Sequence, residues 1–214
     1  RSAALNVSTM ASFVASAAGA TVCKHGNRKA SSTSGSFDFL EALGIDIEVD
    51  PAGLEAQVRD HGVGFAFART FHPAMRFVGP VRAELGIPTV FNILGPLSHP
   101  ARLTRQVIGV ADWGIADQMI RVLHATGSER ALVVHGDGGL DELTTTGPSR
   151  MLSLADGEIT EIEVDAADLG LDRATPAALA GGDAAANAEI AGRVFAGEAG
   201  AARGGQQRLH LLLR

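Results

Sequence analysis

Apolar positions along the chain alternate between two spacings, and that alternation predicts its elements. Residues 20–25 ("ATVCKH") form a short apolar run with the character of a strand, and 36–44 ("SFDFLEALG") place apolar residues at helical intervals up to Gly44, a stop. "DPAGLEAQVRDHG" carries every helix signal: Asp50 to cap, Pro51 in the first turn and Gly62 past the end. The pattern then predicts a strand at 63–68, a helix from about 72 to 86 and a strand in "PTVFNI" (88–93). A strand at 105–111, a helix at 113–127 and a strand at 130–136 follow. "EITEIEVD" (158–165) alternates as a half-exposed strand, and 181–197 read as a helix capped by Asp183. An earlier helix opens at "NVST", with Asn6 as its cap and an Ala-rich body.

Strands alternating with helices predict an α/β fold, a largely parallel central sheet flanked by helices. Ligands of such sheets bind in loops at the carboxyl ends of the strands. "KHGNR", "FHPAM" and "HGDGGLDE" each follow a predicted strand, so one sheet edge is expected to carry three polar loops.

Composition narrows the chemistry. With 214 residues, 46% of them hydrophobic, the chain is long enough for a substantial core. A net charge of -6 argues against general nucleic-acid binding, so any anion site must be local. The single cysteine, Cys23, excludes an internal disulfide and points to a reducing compartment. No run is apolar and long enough to span a bilayer, so the expected location is the cytoplasm.

Four segments carry candidate chemistry. The start of the first helix, with Asn6, Ser8 and Thr9, offers free N–H groups and hydroxyls to an anion, although for this segment alone plain capping is the simpler account. In the stretch Lys24–Ser36, Lys24 and Arg28 supply positive charge, His25 and Asn27 supply hydrogen-bond donors, and Gly26 allows close backbone approach. Hydroxyls follow in "SSTSGS"; the pattern fits a phosphate cradle or a solvated loop. Asp141 and Glu142, with Asp137 nearby, are oxygen donors suited to Mg²⁺ or an acidic surface turn. His72 and Arg82, with Arg69 and Arg76 as further candidates, suit a substrate carboxylate, whose two oxygens match an arginine fork, although each alone is more simply a surface residue of an amphipathic helix.

Taken together, "NVST", "KHGNRKASSTSGS", "FAFARTFHPAMRFVGPVRAELGIPTVFNILGPLSHPA" and "VVHGDGGLDELTTTGPS" resemble anthranilate phosphoribosyltransferase of tryptophan biosynthesis, from about Asn6 to the helix at 181–197. The resemblance implies a nucleoside phosphorylase/phosphoribosyltransferase-like catalytic domain and Mg²⁺-dependent transfer of phosphoribosyl from phosphoribosyl pyrophosphate to anthranilate. It implies that Asn6, Ser8, Thr9, Lys24, the backbone of His25, Gly26, Asn27 and Arg28, and Ser31, Ser32 and Ser36 hold phosphoribosyl pyrophosphate. Asn27, His72 and Arg82 would face anthranilate; Ser8, Asp141 and Glu142 would hold Mg²⁺. No single acid or base is implied, so positioning and electrostatics are expected to carry catalysis. A pyrimidine nucleoside phosphorylase and a non-catalytic nucleic-acid-binding relative stand as alternatives.

The family pattern also includes a Gly-rich "GTGGD" loop and a helical N-terminal region ahead of "NVST", and the full-length protein is expected to be a homodimer. The chain starts at Arg1, after both, and is expected to be a weakly active or inactive fragment. Residues 1–198 are read as the catalytic domain. The tail 199–214, ending "RGGQQRLHLLLR", departs from the pattern and is read as the product of a frameshift or gene-model error.

Overall fold

A computed structural model describes residues 5–28, 34–87 and 89–198 of the chain. They fall into two compact units, one made of residues up to Gly95 together with Ala180–Glu198, the other of Pro96–Leu179.

The first unit holds α1 (Val7–Ala17), β1 (Val22–Gly26), α2 (Ser36–Ala42), α3 (Pro51–His61), β2 (Val63–Phe67), α4 (Ala68–Phe71), α5 (Met75–Leu85) and the start of α6 (Phe91–Leu97). α7 (Ala116–Ala125) follows in the second unit, and α8 (Ala184–Phe195) returns to the first. β1 and β2 pair in parallel, from Val22 opposite Val63 to Gly26 opposite Phe67, so both strands end at the same edge. β2 is buried from Gly64 to Phe67, and Phe65 and Phe67 join Phe37, Leu40 and Ile47 in the core. The Phe37 and Phe67 rings stack at 4.9 Å. A second cluster of Met10, Phe39 and Ala191 ties α1, α2 and α8 together. The Asp50 carboxylate accepts from the Gly53 N–H at 2.8 Å and Gly62 closes α3 at φ 72°, as the local signals predict.

One predicted strand is a helix. The pattern of "PTVFNI" predicts extended chain, yet α6 begins at Phe91. Asn92 Oδ1 accepts from the Thr89 N–H at 2.9 Å, and the Thr89 and Val90 carbonyls accept from Asn92, Ile93 and Leu94. Local capping overrides the β-branched character, because no neighbouring strand pairs with this segment among the described residues.

The second unit holds β3 (Arg105–Gly109), α7 (Ala116–Ala125), β4 (Arg130–Gly136), β5 (Ser149–Ala155) and β6 (Glu158–Val164), ordered β3-β4-β5-β6. α7 buries Ala116, Met119, Ile120 and Leu123, one helical stripe. β3 and β4 run parallel across α7; β4, β5 and β6 form an antiparallel meander. The α/β class is thus realised as two sheets, parallel where helices connect the strands and antiparallel where the loop 137–148 or the turn at Asp156 and Gly157 does. The single sheet edge expected for three loops is corrected accordingly. "KHGNR" and "FHPAM" lie at the ends of β1 and β2, whereas "HGDGGLDE" follows β4 in the other sheet.

Among the described residues, no helix is long and apolar enough to cross a membrane.

Candidate functional site

In the first unit, Asn6 stands at the N-cap position of α1, and its carbonyl accepts from the Thr9 and Met10 N–H groups at 3.1 and 3.0 Å. Its side chain does not cap, contrary to expectation. Asn6 Oδ1 instead accepts from Asn187 Nδ2 at 2.9 Å and from the Ser34 hydroxyl at 3.3 Å. Ser8 is exposed. Thr9 is fully buried, and its hydroxyl has no hydrogen-bond partner among the described residues.

Lys24, His25 and Gly26 belong to β1 itself, so the strand reaches further into "KHGNR" than the pattern predicts. A Cβ on Gly26 would fall 2.5 Å from Ser36 Oγ, which shows that its bareness serves contact with the start of α2. The Asn27 carbonyl accepts from the Phe37 N–H at 3.3 Å and the Ser36 hydroxyl at 3.2 Å, while Asn27 Oδ1 takes the Arg28 N–H at 2.9 Å. Asn27 is therefore pinned to α2 by its backbone. Ser31 and Ser32 lie outside the described residues.

Arg28 departs from the expected role of neutralising phosphate. Its guanidinium donates to both Glu41 oxygens, at 3.0 and 2.7 Å, and to Glu48 at 3.3 Å, and it lies over the Phe67 ring at 5.2 Å. Hydrogen bonding to Glu41 pushes the guanidinium pKa up. Two carboxylates already balance this cation, and what remains for a ligand is the Arg28 backbone.

His72 ends α4, and its Nε2 meets His25 Nε2 at 3.2 Å. Arg82 donates from Nη2 to Asn92 Oδ1 at 3.2 Å and stacks over Phe91 at 5.4 Å, which holds it against the start of α6. Arg69 and Arg76 are exposed, and Arg76 packs on Phe77 at 4.6 Å.

In the second unit, Gly138 and Gly139 turn the chain back at φ 73° and 78° after β4, and the Gly136 N–H donates to the Leu140 carbonyl at 2.8 Å. Asp141 is exposed, Glu142 half-buried, and Leu143 anchors the segment in the core. Sequence reasoning missed two glycines here. A Cβ on Gly109 would overlap the Asp141 carbonyl, and one on Gly136 would overlap that of Glu142. The backbone of the acidic pair thus lies directly against the carboxyl ends of the parallel strands β3 and β4. His135, also missed, donates from Nδ1 to the Val110 carbonyl at 2.8 Å and ties β4 to the segment after β3. Among the described residues no three His, Cys, Asp or Glu side chains cluster for a metal, so the candidate oxygen set in this unit is the Asp141–Glu142 pair.

The model of the family described as "Glycosyl transferase family, a/b domain" matches residues 1–208. The chain is 54% identical over 199 residues to a protein named anthranilate phosphoribosyltransferase from Roseiflexus sp. (strain RS-1), covering 92% of this chain and 58% of that protein. A protein of the same name from Rubrobacter xylanophilus is 51% identical over 194 residues, covering 91% of this chain and 57% of the relative. Among solved structures, anthranilate phosphoribosyltransferase from Thermus thermophilus matches with a TM-score of 0.88 at 44% identity, over 97% of this chain and 61% of that one. The Saccharomyces cerevisiae protein of that name, in complex with PRPP and Mg, matches with a TM-score of 0.86 at 29% identity, over 96% of this chain and 58% of that one. The chain therefore spans about 58% of the length of the curated relatives it matches.

Proposed function

Because the chain belongs to the glycosyl transferase family through its a/b domain, we propose that it is the α/β part of an anthranilate phosphoribosyltransferase, acting in the cytoplasm as part of a longer, homodimeric protein. The observation that carries this reading is the 54% identity to a protein of that name, held over 92% of the chain. In the proposed reaction the anthranilate amine attacks the anomeric carbon of phosphoribosyl pyrophosphate. The bond from that carbon to pyrophosphate breaks, and the amine loses a proton to solvent.

The first unit fits the phosphate end of this substrate. The start of α1 carries no side-chain cap, Ser8 is exposed beside it, and the buried Thr9 hydroxyl lacks a partner among the described residues. A helix start with unsatisfied donors favours an anion. In our reading Asn6, Ser8, Thr9, Lys24, Ser31, Ser32 and Ser36 hold phosphoribosyl pyrophosphate together with the backbone of residues 25–28. Asn27 contacts both substrates, and His72 and Arg82 orient anthranilate, Arg82 by pairing with its carboxylate. Arg82 is prepared for that task by its stacking on Phe91, which reduces the freedom lost on binding.

Asp141 and Glu142 suit Mg²⁺ because both are oxygen donors and their backbone is seated in a cradle that a Cβ on Gly109 or Gly136 would fill. They would hold the ion, which when bound would stabilise charge on the departing pyrophosphate. The protein groups themselves bind, orient and supply fixed donors to the charge that develops.

The test is the loss of anthranilate fluorescence in the presence of phosphoribosyl pyrophosphate and Mg²⁺, with the full-length protein. Turnover is expected with anthranilate. Phosphorolysis of thymidine or uridine without anthranilate turnover would overturn the substrate assignment, and gel filtration of the same protein tests the homodimer.

A further inference from the structure

We infer that Asn187 is a positioning residue that keeps the start of α1 open for the phosphates of the substrate. The inference rests on the phosphoribosyl pyrophosphate reading of the first unit. Asn187 lies on α8, 181 residues from Asn6, within the same compact unit and with no exposed surface.

Its carboxamide is used at both ends. Asn187 Oδ1 accepts from the Gly182 N–H at 2.8 Å, and Nδ2 donates to Asn6 Oδ1 at 2.9 Å. The Ser34 hydroxyl reaches the same Asn6 oxygen at 3.3 Å. Two donors therefore converge on the one atom that an N-cap asparagine ordinarily offers to its own helix. Capping would place that oxygen against the second or third N–H of α1, and here it does not. The Asn6 backbone carbonyl meets the N–H groups of Thr9 and Met10, so those of Val7 and Ser8 are the ones an incoming anion would find. A second observation points to a ligand at this end: the fully buried Thr9 hydroxyl, without a partner among the described residues.

A side chain that diverts a cap differs from one that merely staples α8 to α1. A staple would protect stability and nothing else. A diverter changes anion affinity, and it does so only through Asn6.

The experiment titrates inorganic pyrophosphate into the full-length protein by calorimetry, for the parent, Asn187→Ala, Asn6→Ala and the double variant. Asn187→Ser is added as a milder replacement that keeps a hydroxyl near Gly182 but is too short to reach Asn6. Both Asn187 variants are expected to bind pyrophosphate about tenfold more weakly, because the released Asn6 oxygen then competes with the anion for the N–H groups at the start of α1. The KM for anthranilate should be unchanged. The double variant should bind no more weakly than Asn6→Ala alone, because Asn187 acts through that residue. Amide exchange at Ser8 should slow in Asn187→Ala as Asn6 turns back to cap α1. Losses that add in the double variant, or an Asn187 variant that melts earlier yet binds pyrophosphate like the parent, would overturn the inference while leaving the site reading intact. A parent protein that binds no pyrophosphate would instead overturn the site reading, and the inference with it.

Discussion

His25 and His72 meet Nε2 to Nε2 at 3.2 Å, with their rings crossed near edge to face and the centroids 5.0 Å apart. One N–H···N bond needs a donor on one ring and a lone pair on the other, so the two imidazoles hold opposite states at Nε2. In each neutral ring the state of Nε2 in turn fixes that of Nδ1. In ¹⁵N-edited spectra of the ring nitrogens at pH 8, one histidine of the pair should appear Nε2-protonated and the other not. If His72 orients anthranilate, His25→Ala should raise the KM for anthranilate about two- to tenfold, with a smaller change for phosphoribosyl pyrophosphate. Equal changes for both substrates would argue that the pair only braces the ends of β1 and β2.

Arg28 makes a separable prediction. Its fork spans the Glu41 carboxylate and extends to Glu48, with 34% of the side chain exposed. Arg28→Lys loses the two-pronged geometry and the flat contact with Phe67. Because the pair is partly solvated, the cost to stability should be modest, about 0.2–1 kcal/mol, and smaller still at high salt. Denaturant titration at two ionic strengths measures it. Affinity for phosphoribosyl pyrophosphate should hardly change; a large loss would return Arg28 to the substrate's ligands.

Gly109 and Gly136 carry the strictest steric demand near the acidic pair. A Cβ at either position overlaps a backbone carbonyl, Asp141 in one case and Glu142 in the other, and backbone cannot yield as a flexible side chain would. Gly109→Ala should therefore destabilise the protein by about 1–3 kcal/mol and displace the pair. The expected signature is a higher Mg²⁺ requirement in addition to a lower Tm. Gly127→Ala is a control, since its Cβ would meet nothing within 4 Å, although its φ of 100° carries its own strain. An unchanged Mg²⁺ requirement in folded Gly109→Ala would sever the link between this packing and the metal.

Most of the fold is legible in the chain because its helices announce their ends. Asp50, Asp183 and Gly62 do in space what their positions promise. β5 escapes the hydrophobic pattern although a signal for it is present. Asp156 and Gly157, at φ 53° and 82°, form a two-residue turn joining β5 to β6, and Asp-Gly is the pair that such a turn prefers. Residues 88–93 read as a strand because Thr89, Val90 and Ile93 are β-branched, yet a helix starts at Phe91, where the Asn92 oxygen accepts from the Thr89 N–H. At the candidate site, motif residues such as Lys24, His72 and Asp141 can be named from the chain alone. Asn187, Glu41 and Glu48 cannot, because their relevance comes from contacts between segments distant along the chain.

Cys23 lies in β1, and burial pushes its thiol pKa up. The thiolate is the reactive form, so iodoacetamide should modify the folded protein much more slowly than the unfolded chain at pH 8. The sign of the stability effect follows. The folded pKa exceeds the unfolded one, so this contribution is whole below the unfolded thiol pKa and is lost as pH rises through the folded one. Cys23→Ala should remove that part of the alkaline decline in stability. Rapid alkylation of folded protein would show that the thiol is not shielded.

The acidic pair provides the sharpest test of the proposed chemistry. Asp141 is exposed and Glu142 half-buried, while Leu143 beside them is buried in the core and anchors the segment there. Replacing them by Asn and Gln keeps volume and hydrogen-bonding capacity while removing two negative charges, the property a hard cation requires. The double variant Asp141→Asn with Glu142→Gln, made in the full-length protein, should therefore keep its Tm within a few degrees and lose Mg²⁺-dependent turnover. Loss of a metal-stabilised transition state amounts to several kcal/mol, hence roughly a thousandfold or more in rate. Pyrophosphate binding measured without Mg²⁺ should be retained, since the groups at the start of α1 are untouched. A variant that folds, turns over anthranilate at the parent rate and keeps the parent's Mg²⁺ dependence would remove Asp141 and Glu142 from the mechanism.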